Sequence, residues 1–154
     1  MQLADFLDCD AIKPALPGGN KRSLLKQLAE LSAQRLGIDA AAVNAALNDR
    51  EQLGSTGFGQ GVAVPHAKIE GLNHIYGLFA RLGDAVDYKA IDSRPVDLVF
   101  LLLSPPGAGA EHLKALAAIS RVTRDAATLE RLRGARSRDA LAAVLMGADE
   151  RDAA

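Results

Sequence analysis

The apolar pattern of the first third of the chain predicts two helices. Asn20, a residue type that caps helices, precedes a run of apolar positions near helical spacing, and this run stops at Gly37. The apolar positions of this first helix are Leu24, Leu28, Leu31 and Leu36. Asp39 is placed to cap a second helix that extends to about Leu53, with Gly54 at its end. Its inward positions are Val43, Ala46 and Leu47.

The middle of the chain contains the continuous apolar runs that are typical of strands. We predict strands at residues 62–64, 75–82 and 96–103. The last of these is apolar at nearly every position, and a strand of that kind is usually buried on both faces. We therefore expect residues 96–103 to form a central strand.

The last third predicts three more helices. The first covers residue 110 to about residue 124, and Asp125 and Ser137 are placed to cap the other two, the last of which ends at Gly147. We predict that one face of the first of these helices carries Leu113, Leu116, Ala117 and Ser120.

Helices, then strands, then helices predict an α/β protein with a single mixed sheet that is flanked by helices on both faces. A length of 154 residues suits one domain with one core, so residues 1–154 are expected to form a single domain. Within it, residues 1–19 form a lead-in that ends in the turn signal Pro17-Gly-Gly19, and residues 148–154 form a polar tail that we expect to fray.

Composition removes several classes of function. The formal net charge is −1, aromatic residues make up 4% and tryptophan is absent, so the chain is not expected to bind nucleic acid. The longest strongly apolar run, residues 98–103, is far below the ~20 residues of a membrane span, so we expect no membrane insertion. The acidic start, MQLADFLDCD, does not resemble a signal peptide. Cys9 is the only cysteine, which excludes an intramolecular disulfide and fits a reducing cytoplasm.

Residues 50–66, REQLGSTGFGQGVAVPH, contain the most informative chemistry. The imidazole of His66 is a good nucleophile near neutral pH, although Pro65-His66 could also simply end a strand. The glycine-rich part precedes a strand and lacks a Gly-Lys-Ser/Thr ending, so it is not a nucleotide-binding loop. We interpret it as a tight turn that lets backbone amides and a partner protein come near His66. Neither metalloprotease spacing nor paired Cys/His spacing is present, which argues against a metal site.

This stretch closely resembles the phosphorylation-site motif of the enzyme IIA proteins of the bacterial phosphotransferase system, mannitol/fructose/nitrogen superfamily. A later block, PVDLVFLLL at residues 95–103 followed by EHLK at 111–114, is similar to the family's later strand and second histidine. Two places depart from the usual pattern. Ala67 stands where the family usually has glycine, and Ser104-Pro-Pro is expected to reshape the loop before His112.

The resemblance implies a phosphoryl carrier with a phosphohistidine intermediate at Nε2 of His66. His112 would then donate a hydrogen bond to a phosphoryl oxygen, and Arg50 would supply a fork of donors. In the absence of the motif, His112 would be read as a capping or surface residue and Arg50 as a solvated cation at a helix end. The residues expected to support the phosphate loop are Ser55, Thr56, Gly59 and Gly61. No cofactor and no metal are expected.

Within the family the chain resembles the nitrogen-type branch most, and we expect a free-standing domain without a fused sugar-specific IIB or membrane IIC domain. That branch implies an HPr-like phosphocarrier protein as donor, and regulatory target proteins such as potassium-transport or sensor-kinase components, in the cytoplasm. Two alternatives stay open. The chain could pass the group to a IIB domain for fructose or mannitol uptake, or it could be a non-catalytic binding module that uses the His66 surface only for docking.

Overall fold

A computed structural model describes residues 1–153 of the chain. Five helices occupy Lys21–Leu36 (α1), Ala40–Gln52 (α2), Ala110–Thr123 (α3), Ala126–Gly134 (α4) and Arg138–Ala153 (α5) of this part. Six strands occupy Lys13–Leu16 (β1), Gly57–Gly59 (β2), Val62–Ala63 (β3), His66–Lys68 (β4), Tyr76–Val86 (β5) and Val96–Ser104 (β6). Two short 3-10 helices, Leu3–Asp5 and Cys9–Ala11, precede β1.

The six strands form one mixed sheet around β6. The strand order is β1-β5-β6-β3-β2, and β4 also pairs with β6. The β5–β6 pair is antiparallel, whereas β3 and β4 both run parallel to β6. β4 lies beside the end of β6, with His66 opposite Leu102 and Lys68 opposite Ser104. The predicted central position of the apolar strand is therefore confirmed, and its end brings β4 to the point where the chain turns toward α3.

Helices cover both faces of the sheet, as predicted. The alternating side chains of β6 divide between two hydrophobic clusters because successive residues of a strand point to opposite faces. On one face α1 and α2 pack against a set that includes Val99, Leu101 and Leu103. On the other face α3, α4 and α5 pack against a set that includes Leu98, Phe100 and Leu102.

The predicted ends of α1 and α2 are confirmed by their capping contacts. The Asn20 side chain accepts a hydrogen bond from the Ser23 amide at 2.8 Å, and α1 ends at Gly37, whose φ of 69° is left-handed. The Asp39 side chain accepts from the Ala41 amide at the start of α2. These local signals were readable from the sequence because each is formed within a single turn of helix.

Four strand features were missed or mispredicted by the periodicity, and one of them is β4, which follows the predicted strand at residues 62–64. The segment predicted as a lead-in, residues 1–19, contributes the edge strand β1, which contains Pro14 and pairs parallel with β5. Proline is tolerated there because an edge strand needs fewer ladder hydrogen bonds. Residues 57–59, read as part of a loop, form the short strand β2. β5 continues past the predicted end at Leu82 to Val86.

The face of α3 that packs against the sheet is not the one predicted to carry Leu113, Leu116, Ala117 and Ser120. Leu113 is 67% exposed, whereas His112 in the first turn is buried. The other inward apolar positions are Ala115, Ala118, Ile119 and Val122. Apolar residues occur on more than one side of this helix, so their spacing alone did not decide which side packs against the sheet. In the observed orientation, small alanines face the sheet and the larger Leu113 points outward.

The last helix does not end at Gly147 but continues to Ala153. Asp149, expected in a frayed tail, is 5% exposed, and its carboxylate accepts hydrogen bonds from the amides of Leu3 and Ala4 at 2.8 and 3.3 Å. The contact joins the two ends of the chain, so no local pattern could reveal it. None of the helices within residues 1–153 has both the length and the apolar character needed to cross a membrane.

Candidate functional site

The imidazole of His66 is fixed by the carbonyl of Val64. Its Nδ1 lies 2.8 Å from the Val64 carbonyl oxygen. Since a carbonyl can only accept, Nδ1 must donate, and the neutral ring then has its lone pair on Nε2. Burial of the ring lowers the pKa of His66, and the Arg50 cation lowers it further, against the opposing effects of the Val64 bond and the Glu51 carboxylate. The ring is therefore held as a neutral imidazole with a nucleophilic Nε2 near neutral pH.

Pro65 lies between Val64 and His66, the two residues joined by this hydrogen bond. Proline has no N–H, so it separates β3 from β4, although both strands pair with β6. The Pro65 carbonyl still accepts from the Leu102 amide at 3.0 Å, which holds this interruption against the central strand. The Val-Pro-His sequence thus positions His66 through the backbone and not through other side chains.

His112 lies beside His66, although the two are far apart in the sequence. The ring centroids are 5.5 Å apart and the ring planes are inclined by 52°. His112 is in the first turn of α3, and its Nδ1 is 2.6 Å from the hydroxyl oxygen of Ser104, the last residue of β6. Burial lowers the pKa of His112, and His66 and Lys68 lower it further. The two imidazoles therefore lie together at the point where β6 ends and α3 begins.

Arg50 completes a cationic cavity in front of the two rings. It lies in the last turn of α2, and one guanidinium nitrogen donates to the Gly54 carbonyl at 2.9 Å. This is the one hydrogen bond that the Arg50 side chain makes within the described part of the chain, so the remaining donors of its fork have no protein partner, and Arg50 lines the cavity. The cavity has a volume of about 520 Å³. Its lining residues are Ala46, Asp49, Arg50, Leu53, His66, Ala67, Lys68 and His112.

The cavity is positive on balance and has apolar residues at its margin. Lys68 and Arg50 face one acidic side chain, Asp49. Leu53 lines the cavity and is 84% exposed, and Leu113, the neighbour of His112 on α3, is 67% exposed. Such a surface suits a negatively charged group and a partner with an apolar face. The sequence interpretation assigned no role to Lys68 at the site, and the register of β4 against β6 is what places it there.

Ser55 and Thr56, predicted to support the phosphate loop, are engaged elsewhere. The Thr56 amide donates to both carboxylate oxygens of Glu51 at 3.1 Å, and its hydroxyl bonds to Glu51 and to the Tyr88 hydroxyl. The Ser55 hydroxyl oxygen accepts from the Gly57 amide at 3.1 Å. Neither hydroxyl makes a hydrogen bond to His66 within residues 1–153. These contacts stabilise the loop, and neither Ser55 nor Thr56 lines the cavity.

Glu51, the neighbour of Arg50, does not line the cavity. Its side chain, 6% exposed, accepts from Tyr88 at 2.6 Å and lies 3.5 Å from Lys21. The Lys21 ammonium also lies over the Tyr88 ring, 4.4 Å from its centroid. We refer to Glu51, Thr56, Tyr88 and Lys21 as the Glu51 cluster. Three of its members lie far apart in the sequence, which explains why spacing did not predict it.

Gly59 and Gly61, the other predicted loop residues, shape the β2–β3 hairpin. Gly59 has a φ of 101°, and a Cβ there would be 3.1 Å from the Asp92 carboxylate. Gly61 has a φ of 80°, and a Cβ there would overlap the guanidinium of Arg133, which bonds both oxygens of Asp97. Only glycine accepts this backbone and this close approach. Neither glycine lines the cavity in front of His66.

The third histidine lies outside the cavity. His74 lies in the segment between β4 and β5 and bonds through Nδ1 to the Asn73 side chain at 2.7 Å. Within the described residues, no group of three histidine, cysteine, aspartate or glutamate side chains is arranged to hold a metal ion.

The whole sequence and fold match known proteins. Residues 5–147 match the family described as "Phosphoenolpyruvate-dependent sugar phosphotransferase system, EIIA 2". The chain is similar to the nitrogen regulatory protein of Bradyrhizobium diazoefficiens, with 47% identity over 145 residues that cover 94% of this chain and 95% of that protein. It is also 32% identical over 143 residues to the fructose-specific EIIABC component of Bacillus subtilis, covering 92% of this chain and 22% of that protein.

Among solved structures, the chain resembles the crystal structure of nitrogen regulatory protein IIA-Ntr from Neisseria meningitidis. The TM-score is 0.87 at 33% identity, over 93% of this chain and 98% of that chain. The family expected from residues 50–66 and the expected mixed α/β fold are thus confirmed. Proteins of this family act with phosphocarrier proteins and IIB domains. The chain belongs to the type 2 enzyme IIA family of the phosphoenolpyruvate-dependent sugar phosphotransferase system, as a nitrogen-regulatory phosphoryl carrier that works through a phosphohistidine intermediate.

Proposed function

We propose that His66 is the phosphoryl acceptor of this carrier and that the group is carried on Nε2. The single observation that supports this most strongly is the hydrogen bond from Nδ1 to the Val64 carbonyl. It leaves the lone pair on Nε2, in a cavity that a partner can reach. In the transfer, Nε2 attacks phosphorus, the N–P bond of the donor phosphohistidine breaks, and its electron pair stays on the donor imidazole. No proton has to leave His66 in this step, because the attacking nitrogen carries none.

Arg50 and His112 are proposed to bind the oxygens of the moving phosphoryl group. Both line the cavity of His66, and the unused donors of Arg50 provide a permanent positive charge. Transfer between two imidazoles needs fixed donors around the phosphoryl oxygens more than it needs acid–base chemistry. Lys68, which lines the same cavity, adds a second full positive charge.

The donor is proposed to be an HPr-like phosphocarrier protein that docks over the cavity. Leu53 and Leu113 offer exposed apolar contacts near the two histidines, and Arg50 and Lys68 attract the incoming phosphoryl group. We also propose that the chain acts as a single domain in the cytoplasm. Both hydrophobic clusters are built on one sheet, and the lone Cys9 suits a reducing compartment.

The output is proposed to be regulatory. Phosphorylation would replace a neutral ring with a group of about −2 charge in a cationic cavity, and so would change which proteins bind this surface. The targets would be regulatory proteins such as potassium-transport or sensor-kinase components. The similarity to a fructose-specific component supports a second candidate, transfer to a IIB domain, but the identity to a nitrogen regulatory protein is higher, 47% against 32%.

Intact-mass spectrometry after incubation with a phosphorylated HPr-like protein tests the proposal. Wild type should gain the mass of one phosphoryl group, and acid should remove it because an N–P bond is labile. His66→Ala should gain nothing, whereas His74→Ala, the matched control for a histidine outside the cavity, should behave as wild type. Full phosphorylation of His66→Ala would refute the assignment. A wild-type protein that accepts nothing would favour the binding-module alternative.

A further inference from the structure

Ser104 is the one hydrogen-bond partner of the His112 imidazole in the described part of the chain. It is fully buried at the end of β6, and its hydroxyl oxygen lies 2.6 Å from Nδ1 of His112. The Ser104-Pro-Pro segment is also where the sequence departs from the pattern it otherwise resembles. A hydroxyl at this position therefore has a contact that the motif itself did not indicate.

The burial of Ser104 decides which atom donates. A buried hydroxyl hydrogen needs an acceptor, and within residues 1–153 the only acceptor bonded to this hydroxyl is Nδ1 of His112. No buried side-chain polar atom in this part of the chain lacks a partner. If Nδ1 carried the proton instead, the hydroxyl hydrogen would have no acceptor. The neutral His112 ring therefore accepts at Nδ1 and carries its proton on Nε2.

We propose that Ser104 is a positioning residue that holds His112 in the Nε2–H tautomer, so that the two histidines of the cavity have opposite tautomers. His66 then offers a lone pair at Nε2, and His112 offers an N–H donor at Nε2 for a phosphoryl oxygen. The backbone carbonyl of Val64 fixes the first tautomer and the side-chain hydroxyl of Ser104 fixes the second. This inference rests on the proposed role of His66.

A serine is suited to this position because its hydroxyl can either donate or accept. A phosphoryl group of about −2 charge on His66 would favour the cationic form of His112, whose second proton goes to Nδ1. The Ser104 hydroxyl would then rotate and accept from Nδ1–H, and the attraction between the phosphoryl group and the cationic ring would offset the loss of an acceptor for the hydroxyl hydrogen. The charged and titratable groups around His112 are His66 and Lys68 on β4, Arg50 and Asp49 on α2, and Glu111 on α3.

The first test is made without phosphate, by nitrogen NMR of the histidine rings in ¹⁵N-labelled protein above the pKa of both rings. His112 should show a protonated Nε2 and an unprotonated Nδ1, whereas His66 should show the reverse. The same tautomer in both rings would overturn the inference. This result does not depend on whether His66 accepts a phosphoryl group.

The second test measures single-turnover transfer of the phosphoryl group from the phosphorylated protein to an unphosphorylated HPr-like protein, the direction in which His112 is expected to matter most. Ser104→Ala should slow this transfer by about 10-fold to 100-fold, comparable to the loss of a partner that orients a metal-bound histidine, without weakening binding of the HPr-like protein. Ser104→Thr keeps the hydroxyl and should recover most of the rate. The rate of Ser104→Ala should also vary with pH differently from wild type, because a buried Nδ1 without a donor changes the pKa of His112.

The two proposals fail in different ways. A wild-type rate and an unchanged pH profile in Ser104→Ala would overturn the role of Ser104 and leave His66 as acceptor. Phosphorylation of His66→Ala would overturn the acceptor assignment, while the NMR tautomers would still report on Ser104. A third outcome is possible even if the wild-type rings have the expected tautomers. If Ser104→Ala is slow and Ser104→Thr is equally slow, the loss of the hydroxyl is not the cause of the slow rate, and the proposal is contradicted.

Discussion

Residues 50–66 build two regions of opposite character. Arg50 and His66 face an open cavity, where Arg50 has unused donors and His66 has a lone pair with no protein partner. Glu51 and Thr56, in the same stretch, turn inward to the Glu51 cluster, where the polar atoms bond to one another. The comparison teaches that one sequence motif can combine residues proposed to act in phosphoryl transfer with residues that stabilise the fold. Unused hydrogen-bonding capacity is what distinguishes the first kind from the second.

The largest effect is expected when the permanent cation of the cavity is removed. Arg50→Ala should slow transfer in both directions by roughly 10²–10³, because a preorganised donor for the phosphoryl oxygens is lost. Arg50→Lys should recover only part of the rate, since the charge stays but the fork does not. Single-turnover rates with a phosphorylated donor, and in reverse with the unphosphorylated donor, measure this. A wild-type rate in Arg50→Ala would show that Arg50 takes no part in phosphoryl transfer.

A smaller and directional effect is expected for His112→Ala. The variant should still accept a phosphoryl group, because Arg50 and the amides at the start of α3 remain, but it should pass the group on poorly. The same single-turnover measurement in the two directions separates the steps. Equal slowing of acceptance and release would contradict this division of labour between Arg50 and His112.

The Glu51 cluster should affect stability and leave transfer alone. Tyr88→Phe removes a fully buried hydroxyl that bonds to Glu51 and Thr56, and it should lower the free energy of unfolding by about 2 kcal/mol. Its transfer rate should stay within about twofold of wild type, on the view that this cluster holds the loop and touches no phosphoryl oxygen. Urea denaturation and single-turnover rates test the two halves. If Tyr88→Phe is as stable as wild type but transfers the phosphoryl group slowly, the Glu51 cluster and the cavity do not have separate roles.

The cavity itself should weaken the fold at low pH. The pKa values of His66 and His112 are lowered by burial, so the unfolded chain binds protons that the folded rings resist. The free energy of unfolding should therefore fall as pH decreases from about 6.5, the unfolded value, through the lower folded values. A variant with both His66→Ala and His112→Ala should lose less stability over this window. Equal pH dependence in both proteins would contradict the lowered pKa values.

The smallest effect is expected in the overall fold. Phosphorylation adds charge at the half-buried His66, outside both hydrophobic clusters, so it should act on the cavity surface. Far-ultraviolet circular dichroism of the two forms should be nearly superimposable. A large change in helix signal would mean that the cavity and the core are coupled.

The sequence predicted what is encoded locally. The caps Asn20 and Asp39, the ending at Gly37 and the apolar run of β6 each act within a few residues, and all are found in the structure. The adjacency of His66 and His112 could be expected only from the family resemblance, because no spacing rule joins β4 to the start of α3. The features that were missed depend on distant partners, as with Asp149 and the amide of Leu3.

The candidate site shows the same limit. The motif indicated Arg50, His66 and His112, which the structure brings to one cavity, but it did not separate them from Thr56 and Gly61. Which side chains turn inward depends on Tyr88 and Arg133, which lie outside the motif. Ser104 stood out as a departure in the sequence, yet its contact with His112 is visible only in the fold.

The central claim is that His66 carries the phosphoryl group on Nε2, and nitrogen–phosphorus NMR of the phosphorylated, ¹⁵N-labelled protein tests it most directly. Phosphorus should couple to Nε2 of His66, while Nδ1 keeps its proton and its hydrogen bond to the Val64 carbonyl. Coupling to Nδ1 of His66, or to a nitrogen of His112 or His74, would contradict the account.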